Sequence, residues 1–153
     1  MQRALLFRRA FVAAAMAGLT SFGVVAAVPA EAASSIQFRT IYVNSPGSDT
    51  GSNASLNAEY ATLKNTSTTT KTLTGMTVRD KSGHVYKFST FTLPAGASVR
   101  LHTGSGTNTA TNRYWGSGNY IWNNSGDTAT LKSASGTTLD TCSWGTVSST
   151  VAC

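Results

Sequence analysis

Charge is scarce in this sequence: Asp, Glu, Lys and Arg together make up 12% of its 153 residues. The charges are scattered singly, and no Lys/Arg run with interleaved aromatics builds the basic patch that nucleic-acid recognition uses, so no nucleic-acid partner is expected. Histidine is almost absent too, with only His84 and His102. Beyond the N-terminus the acids Asp49, Glu59, Asp80, Asp127 and Asp140 stand isolated from one another. No Gly-x-Ser-x-Gly elbow, His-Glu-x-x-His or similar motif occurs. No catalytic residues are assigned, and an enzyme is not expected. Only two cysteines are present, Cys142 and Cys153, without the nearby His or further Cys that a thiolate metal or redox centre needs. Amphipathic helices are missing as well, because no segment carries apolar residues at i, i+3, i+4 and i+7 over three turns.

One long apolar run is present, and it comes first. Arg3, Arg8 and Arg9 precede the uncharged stretch Phe11–Val28, and Ala30-Glu31-Ala32 supplies a small-x-small cleavage pattern. Residues 1–32 therefore read as a secretory signal peptide, with a retained membrane anchor as the alternative. Arg8-Arg9 resembles a twin-arginine signal only weakly, and no cysteine follows the run to carry a lipid. No later stretch is apolar enough to span a membrane, so residues 33–153 are expected to be a secreted, single domain. Removing Arg3, Arg8, Arg9 and Glu31 from the totals of 12 basic and 6 acidic residues leaves 9 and 5, a net charge of +4. In an oxidising compartment Cys142 and Cys153 are expected to form a structural disulfide.

The exported region is built of short alternating runs separated by turn clusters, the pattern of an antiparallel sandwich. Strands are expected at Ile36–Val43, Asn57–Lys64, Leu73–Asp80, Val85–Phe88, Ser98–Thr103, Asp127–Lys132 and Thr138–Trp144. Asn44–Asn53 reads as a turn-rich loop and Gly104–Asn112 as a flexible one. Two of the three tryptophans, Trp115 and Trp122, fall between Tyr114 and Leu131. There the heavy aromatic anchor is followed by the turn Asn123-Asn124-Ser125-Gly126 and then by a strand with Ala129 and Leu131 on one face.

In order, Asn57-x-Glu59-Tyr60-Ala61-x-Leu63-x-Asn65, Leu73-x-Gly75, Asp80-x-x-Gly83, Phe88-x-x-Phe91-x-Leu93-x-x-Gly96, Val99-x-Leu101-x-Thr103-Gly104-x-Gly106, Trp122-Asn-Asn-x-Gly126-Asp127-x-Ala129-x-Leu131 and Gly136-x-x-Leu139-Asp140-x-x-x-Trp144 cover nearly all of the exported region. This set resembles the lamin-tail domain family. The resemblance implies an all-β, immunoglobulin-like antiparallel β-sandwich, used as a non-catalytic module, with Trp122 in the core. After Leu73-Thr-Gly75 the family places Trp where this chain has Met76, and methionine fills irregular apolar gaps.

Binding is the remaining role. Tyr114, Trp115 and Tyr120 are the candidate contact residues, since rings on a sheet or loop anchor protein partners or stack on sugars. The expected partner is an extracellular or envelope-associated protein; the alternative is a polysaccharide held by Tyr114 and Trp115. Asn44, Asp49 and Asn53 put oxygen donors in one loop where calcium is conceivable, but an ordinary Asx-rich loop is the expectation. No metal and no cofactor is assigned, both histidines are expected at the surface, and the protein is expected as a monomer.

Overall fold

The computed structural model describes residues 34–153. The signal peptide read for residues 1–32, and its alternative as an anchor, lie outside the described residues. The chain runs through β1 (Ile36–Tyr42), α1 (Asn53–Ala58), β2 (Tyr60–Asn65), β3 (Lys71–Thr72), β4 (Thr77–Arg79) and β5 (Val85–Lys87). It continues through β6 (Thr92–Leu93), β7 (Ser98–His102), β8 (Asn112–Tyr114), β9 (Asp127–Lys132), β10 (Thr138–Trp144) and β11 (Thr150–Ala152). A five-stranded sheet in the order β11-β1-β2-β7-β8 and a four-stranded sheet in the order β10-β9-β4-β5 form the sandwich, with β3-β6 as a short ribbon.

Period-2 alternation decides which side chains fill the space between the sheets. Ala61 and Leu63 of β2, Val99 and Leu101 of β7, Val78 of β4, and Ala129 and Leu131 of β9 are all buried in one core with Phe88, Leu93 and Trp122. In β1 the inward set changes phase: Ile36 and Phe38 face in, then Ile41. A bulge between Phe38 and Thr40 makes this shift, because an extra residue in one strand flips the alternation beyond it. The bulge takes the Phe38 N–H out of the ladder, and Asp140 Oδ2 accepts it at 2.7 Å. Asp140 itself lies at a register shift in β10, so one carboxylate spans the two sheets where both ladders are interrupted.

The strands expected from alternation are present, except that only Thr77–Arg79 of the expected Leu73–Asp80 is strand, Thr74 and Gly75 forming a turn, and β3, β6, β8 and β11 lie outside the expected set. Three further differences shape the surfaces described below. The pair β7/β8 is parallel, Arg100 facing Asn112 and His102 facing Tyr114, which an antiparallel reading did not include. The stretch read as loop running into strand at Asn57 holds α1 instead. Ser52 caps that helix by accepting the Ser55 N–H at 3.3 Å, and Leu56 is its one buried residue. Six residues are too few to show helical periodicity, and tertiary contacts sustain so short a helix. Finally, the loop after β7 is held rather than loose. Asn53 and Asn57 of α1 each donate to the Ser105 carbonyl at 2.9 Å. A Cβ on Gly104 would come within 2.5 Å of Asn53 Oδ1, and one on Gly106 within 2.5 Å of the Tyr114 ring.

Cys142, buried on β10, is bonded to Cys153, which follows β11. The bridge ties the last strand, an edge strand on β1, to the opposite sheet across a separation of 11 residues. Closing a loop of that length in the unfolded chain is worth roughly 3 kcal/mol at most. Replacing both cysteines by alanine is expected to lower stability by about 2–3 kcal/mol in chemical denaturation and to expose the β11 amides to hydrogen exchange first. A double variant as stable as the native protein would show that the bridge does not hold this strand.

Candidate functional site

A cleft of about 310 Å³ opens where three segments meet. The β1–α1 connection brings Asn44 and Asp49, the β4–β5 turn brings Ser82 and His84, and the stretch before β9 brings Tyr120, Ile121, Trp122, Asn123 and Asn124. Two buried carboxylates shape the nearby turns. Asp127 accepts from the Lys81 and Thr128 N–H groups through Oδ1 and from Asn123 N–H through Oδ2 at 3.0 Å. Asp80 accepts from the His84 N–H at 2.7 Å and lies 2.6 Å from His84 Nδ1.

Glu59 also lines this cleft. It is the C-cap of α1 and leads into β2, two residues ahead of Ala61, so alternation sends its side chain inward. A charged group on a core face needs partners. Oε1 finds three: Thr103 Oγ1 at 2.6 Å, Ile121 N–H at 2.8 Å and Trp122 N–H at 3.2 Å. Oε2 has none among the described residues, and neither does the buried Trp122 Nε1. Burial pushes the Glu59 carboxyl from 4.5 up to about 7; the nearby Asp49 charge adds to this and the three donors oppose it. Of the loop oxygens, Asn44 and Asp49 share the cleft, whereas Asn53 is bonded to Ser105 through both ends of its amide. Among the described residues no three His, Cys, Asp or Glu side chains gather as a metal site would require.

The three aromatic candidates are dispersed. Trp115 is half-buried against the core, edge to face with Trp122 at 5.9 Å and tilted on Tyr86 at 5.9 Å. Tyr114, the preceding residue on β8, turns to the outer face of the five-stranded sheet and stacks on His102 at 5.1 Å. Tyr120 bounds the cleft, its hydroxyl 2.6 Å from Ser55 Oγ. His102 is braced rather than free at the surface, with Nδ1 2.7 Å from the Asn57 carbonyl and Nε2 2.9 Å from Asn112 Oδ1.

Two further aromatics join Tyr114: Tyr60, which the ordered motif set contains without marking it as a surface residue, and Tyr42, which lies outside that set. Tyr42 faces Tyr60, Tyr60 faces His102 and His102 faces Tyr114 in direct register across four strands. The rings touch in sequence at 5.6, 5.5 and 5.1 Å, and the Arg100 guanidinium lies 4.9 Å from the centre of Tyr60. A groove of about 470 Å³ runs beside this row, bounded by Thr40, Thr62, Ser98, Arg100, Thr111 and Asn112. Outward alternation was the only available signal for Tyr42 and Tyr60; their alignment depends on pairings between strands far apart in sequence.

The elevated Glu59 carboxyl has a measurable consequence. Its folded-state value of about 7 exceeds the 4.5 of an exposed glutamate, so the folded chain holds this proton more tightly than the unfolded one. The associated stability is fully present below pH 4.5 and is lost as pH rises through about 7. The gap is worth about 3 kcal/mol. Stability measured against pH for native protein and Glu59→Gln should diverge by up to that amount over the window, with the native protein losing ground as pH rises. A constant difference between the two curves would contradict a buried, proton-holding Glu59.

The family model described as Lamin Tail Domain matches residues 29–146. No curated protein matches the chain at a significant level. With the ordered motif set, the immunoglobulin-like sandwich and this match over most of its length, the chain belongs to the lamin tail domain family.

Proposed function

We propose that the protein is a secreted, non-catalytic module that binds an extracellular protein partner through the outer face of its five-stranded sheet. The immunoglobulin-like domain of this family is generally non-catalytic and suggests protein interaction. The Cys142–Cys153 bridge suits an oxidising compartment.

The observation that carries the reading is the row Tyr42–Tyr60–His102–Tyr114 with Arg100 laid on it. Tyrosine and arginine are the residues that most often dominate protein interfaces, and neighbours already hold these side chains in place, so little rotamer freedom is left to lose on binding. Outward positions on β1, β2, β7 and β8 include Lys64 and Arg100 and no carboxylate, which matches an acidic patch on the partner. A polysaccharide held by Tyr114 and Trp115 is less favoured. Flat sugar stacking needs a free ring face, and Tyr114 already lies against His102 and Gly106 while Trp115 packs on the core.

Immobilised mature protein should retain a defined protein from culture or envelope material. Tyr60→Ala and Arg100→Glu should each weaken that retention by about tenfold or more, the cost of losing an interface anchor. Tyr114→Ala and Trp115→Ala run alongside. Retention unchanged by the sheet-face substitutions, or a retained polysaccharide lost in Trp115→Ala, would overturn this reading.

A further inference from the structure

Acid is almost missing from the surface of this molecule. Glu59, Asp80 and Asp127 are buried, and Asp140 reaches between the sheets, its two oxygens held by the Phe38 and Thr141 N–H groups. Asp49 is the one exposed side-chain carboxylate among the described residues. No Lys or Arg among them lies within ion-pair distance of a carboxylate, and the single close acid–base pair is His84 with Asp80. The cations are thus left without counter-charges, and strand pairing gathers three of them.

They meet on the outer face of the four-stranded sheet. Val78 of β4 and Ala129 and Leu131 of β9 are core residues, so their neighbours Thr77, Arg79, Thr128, Thr130 and Lys132 point away from the core. Thr77 is in direct register with Lys132 on one side and Lys87 on the other, and Arg79 with Thr130 and Val85. Lys132 and Lys87 therefore share one row, two strands and about 10 Å apart. Arg79 is the diagonal neighbour of both, at about 7–8 Å. Thr77 lies between the lysines, Thr130 beside Arg79, and Thr128 Oγ1, 2.9 Å from Ser143 Oγ, carries the hydroxyl surface onto β10. The acids on or next to these strands, Asp80, Asp127 and Asp140, are taken up by backbone N–H groups, so nothing on this face offsets its charge.

Charge complementarity selects an anion, and backbone positions about 7–10 Å apart suit successive charges along a chain rather than one small ion. The outward positions carry no aromatic ring, the platform on which single-stranded nucleic acids stack their bases. Val85 is the one exposed large apolar side chain, too little for burial in a bilayer or for the apolar centre of a protein interface. An arginine fork and lysine ammonium groups suit phosphate oxygens. The hydroxyls between them, each a donor and an acceptor, suit the hydroxyls of a polyol backbone.

We propose that the outer face of the four-stranded sheet binds a linear polyol phosphate, a phosphodiester chain without bases, through Arg79, Lys87 and Lys132. This face is the one opposite the aromatic row, and the proposal does not rest on the protein-binding reading.

The test is a titration of isotope-labelled mature protein with poly(glycerol phosphate), followed by backbone amide NMR signals. The Thr77, Arg79, Lys87, Thr130 and Lys132 amides should shift saturably. Log affinity should fall against log salt with a slope of about −2, roughly 0.7 for each of three cations. Arg79→Gln, Lys87→Gln and Lys132→Gln alter outward side chains and should each keep the native spectrum. Each should weaken binding about fivefold and reduce the slope by about 0.7, and the triple variant should not bind. Flat titrations at low salt, shifts confined to the Tyr42–Tyr114 row, or binding retained by the triple variant would overturn the proposal. Polyglutamate bound as tightly would overturn it by showing that any anionic chain serves. A single-stranded oligonucleotide bound more tightly would overturn it in favour of a nucleic-acid face.

Discussion

The Glu59 carboxylate is the contact on which one end of this sandwich depends. One oxygen gathers a hydroxyl from the end of β7 and two successive backbone N–H groups from the stretch that delivers Trp122 to the core. Residues 115–126 contain no strand, so the Ile121 and Trp122 N–H groups have no ladder partner. Buried N–H groups must find an acceptor somewhere, and Glu59 is that acceptor. Removing it would strand two donors beneath the largest ring of the core. The desolvation of an acid is the lesser cost, since protonation can relieve it and a missing acceptor cannot be replaced.

The same device recurs around the molecule. Asn65, fully buried, donates to the carbonyls of Thr69, Leu93 and Pro94 and accepts from Ser67, fixing the ribbon to the main sheet. Asp127 and Asp80 organise two turns beside the cleft, and Asp140 joins the two bulges. A chain this rich in Thr, Ser and Asn has a modest apolar core. Its irregular connections keep their geometry because single buried polar side chains stand in for absent backbone partners. That accounts for how a sequence with so few charges places four of the five acids among the described residues, Glu59, Asp80, Asp127 and Asp140, where backbone N–H groups need acceptors.

Much of this fold is legible in the sequence because alternation is a strong signal wherever one face of a strand is buried. β2, β7 and β9 read directly from Ala61/Leu63, Val99/Leu101 and Ala129/Leu131, and the Asn123–Gly126 turn announces itself. The lost elements are those whose determinants are not local. The six residues of α1 are held by Ser105, about 50 positions away, and carry no periodicity of their own. The bulge in β1 shows only as a change of phase between Phe38 and Ile41. The site was harder still. Proximity in sequence grouped Tyr114, Trp115 and Tyr120, but adjacent residues on a strand point to opposite sides, and the structure sends them to three environments. Tyr42 and Tyr60 became visible as parts of a surface only through register. Glu59 stood out as an isolated acid, and its isolation in sequence concealed how many backbone groups converge on it.

The aromatic row and the cleft share a frame, and α1 is its joint. Asn53 and Asn57, one helical turn apart, grip Ser105. The next glycine, Gly106, presses on Tyr114, Tyr114 stacks on His102, and His102 returns to the Asn57 carbonyl. This circuit fixes the outer end of the aromatic row. The C-cap of the same helix is Glu59, so a residue that lines the cleft is set by the element that steadies the row. A rigid joint of this kind lets the row keep its geometry without a partner, which lowers the ordering cost of binding there. It also means that changes in α1 should be felt at both surfaces together, whereas changes at the cleft rim or on the outer sheet should stay local.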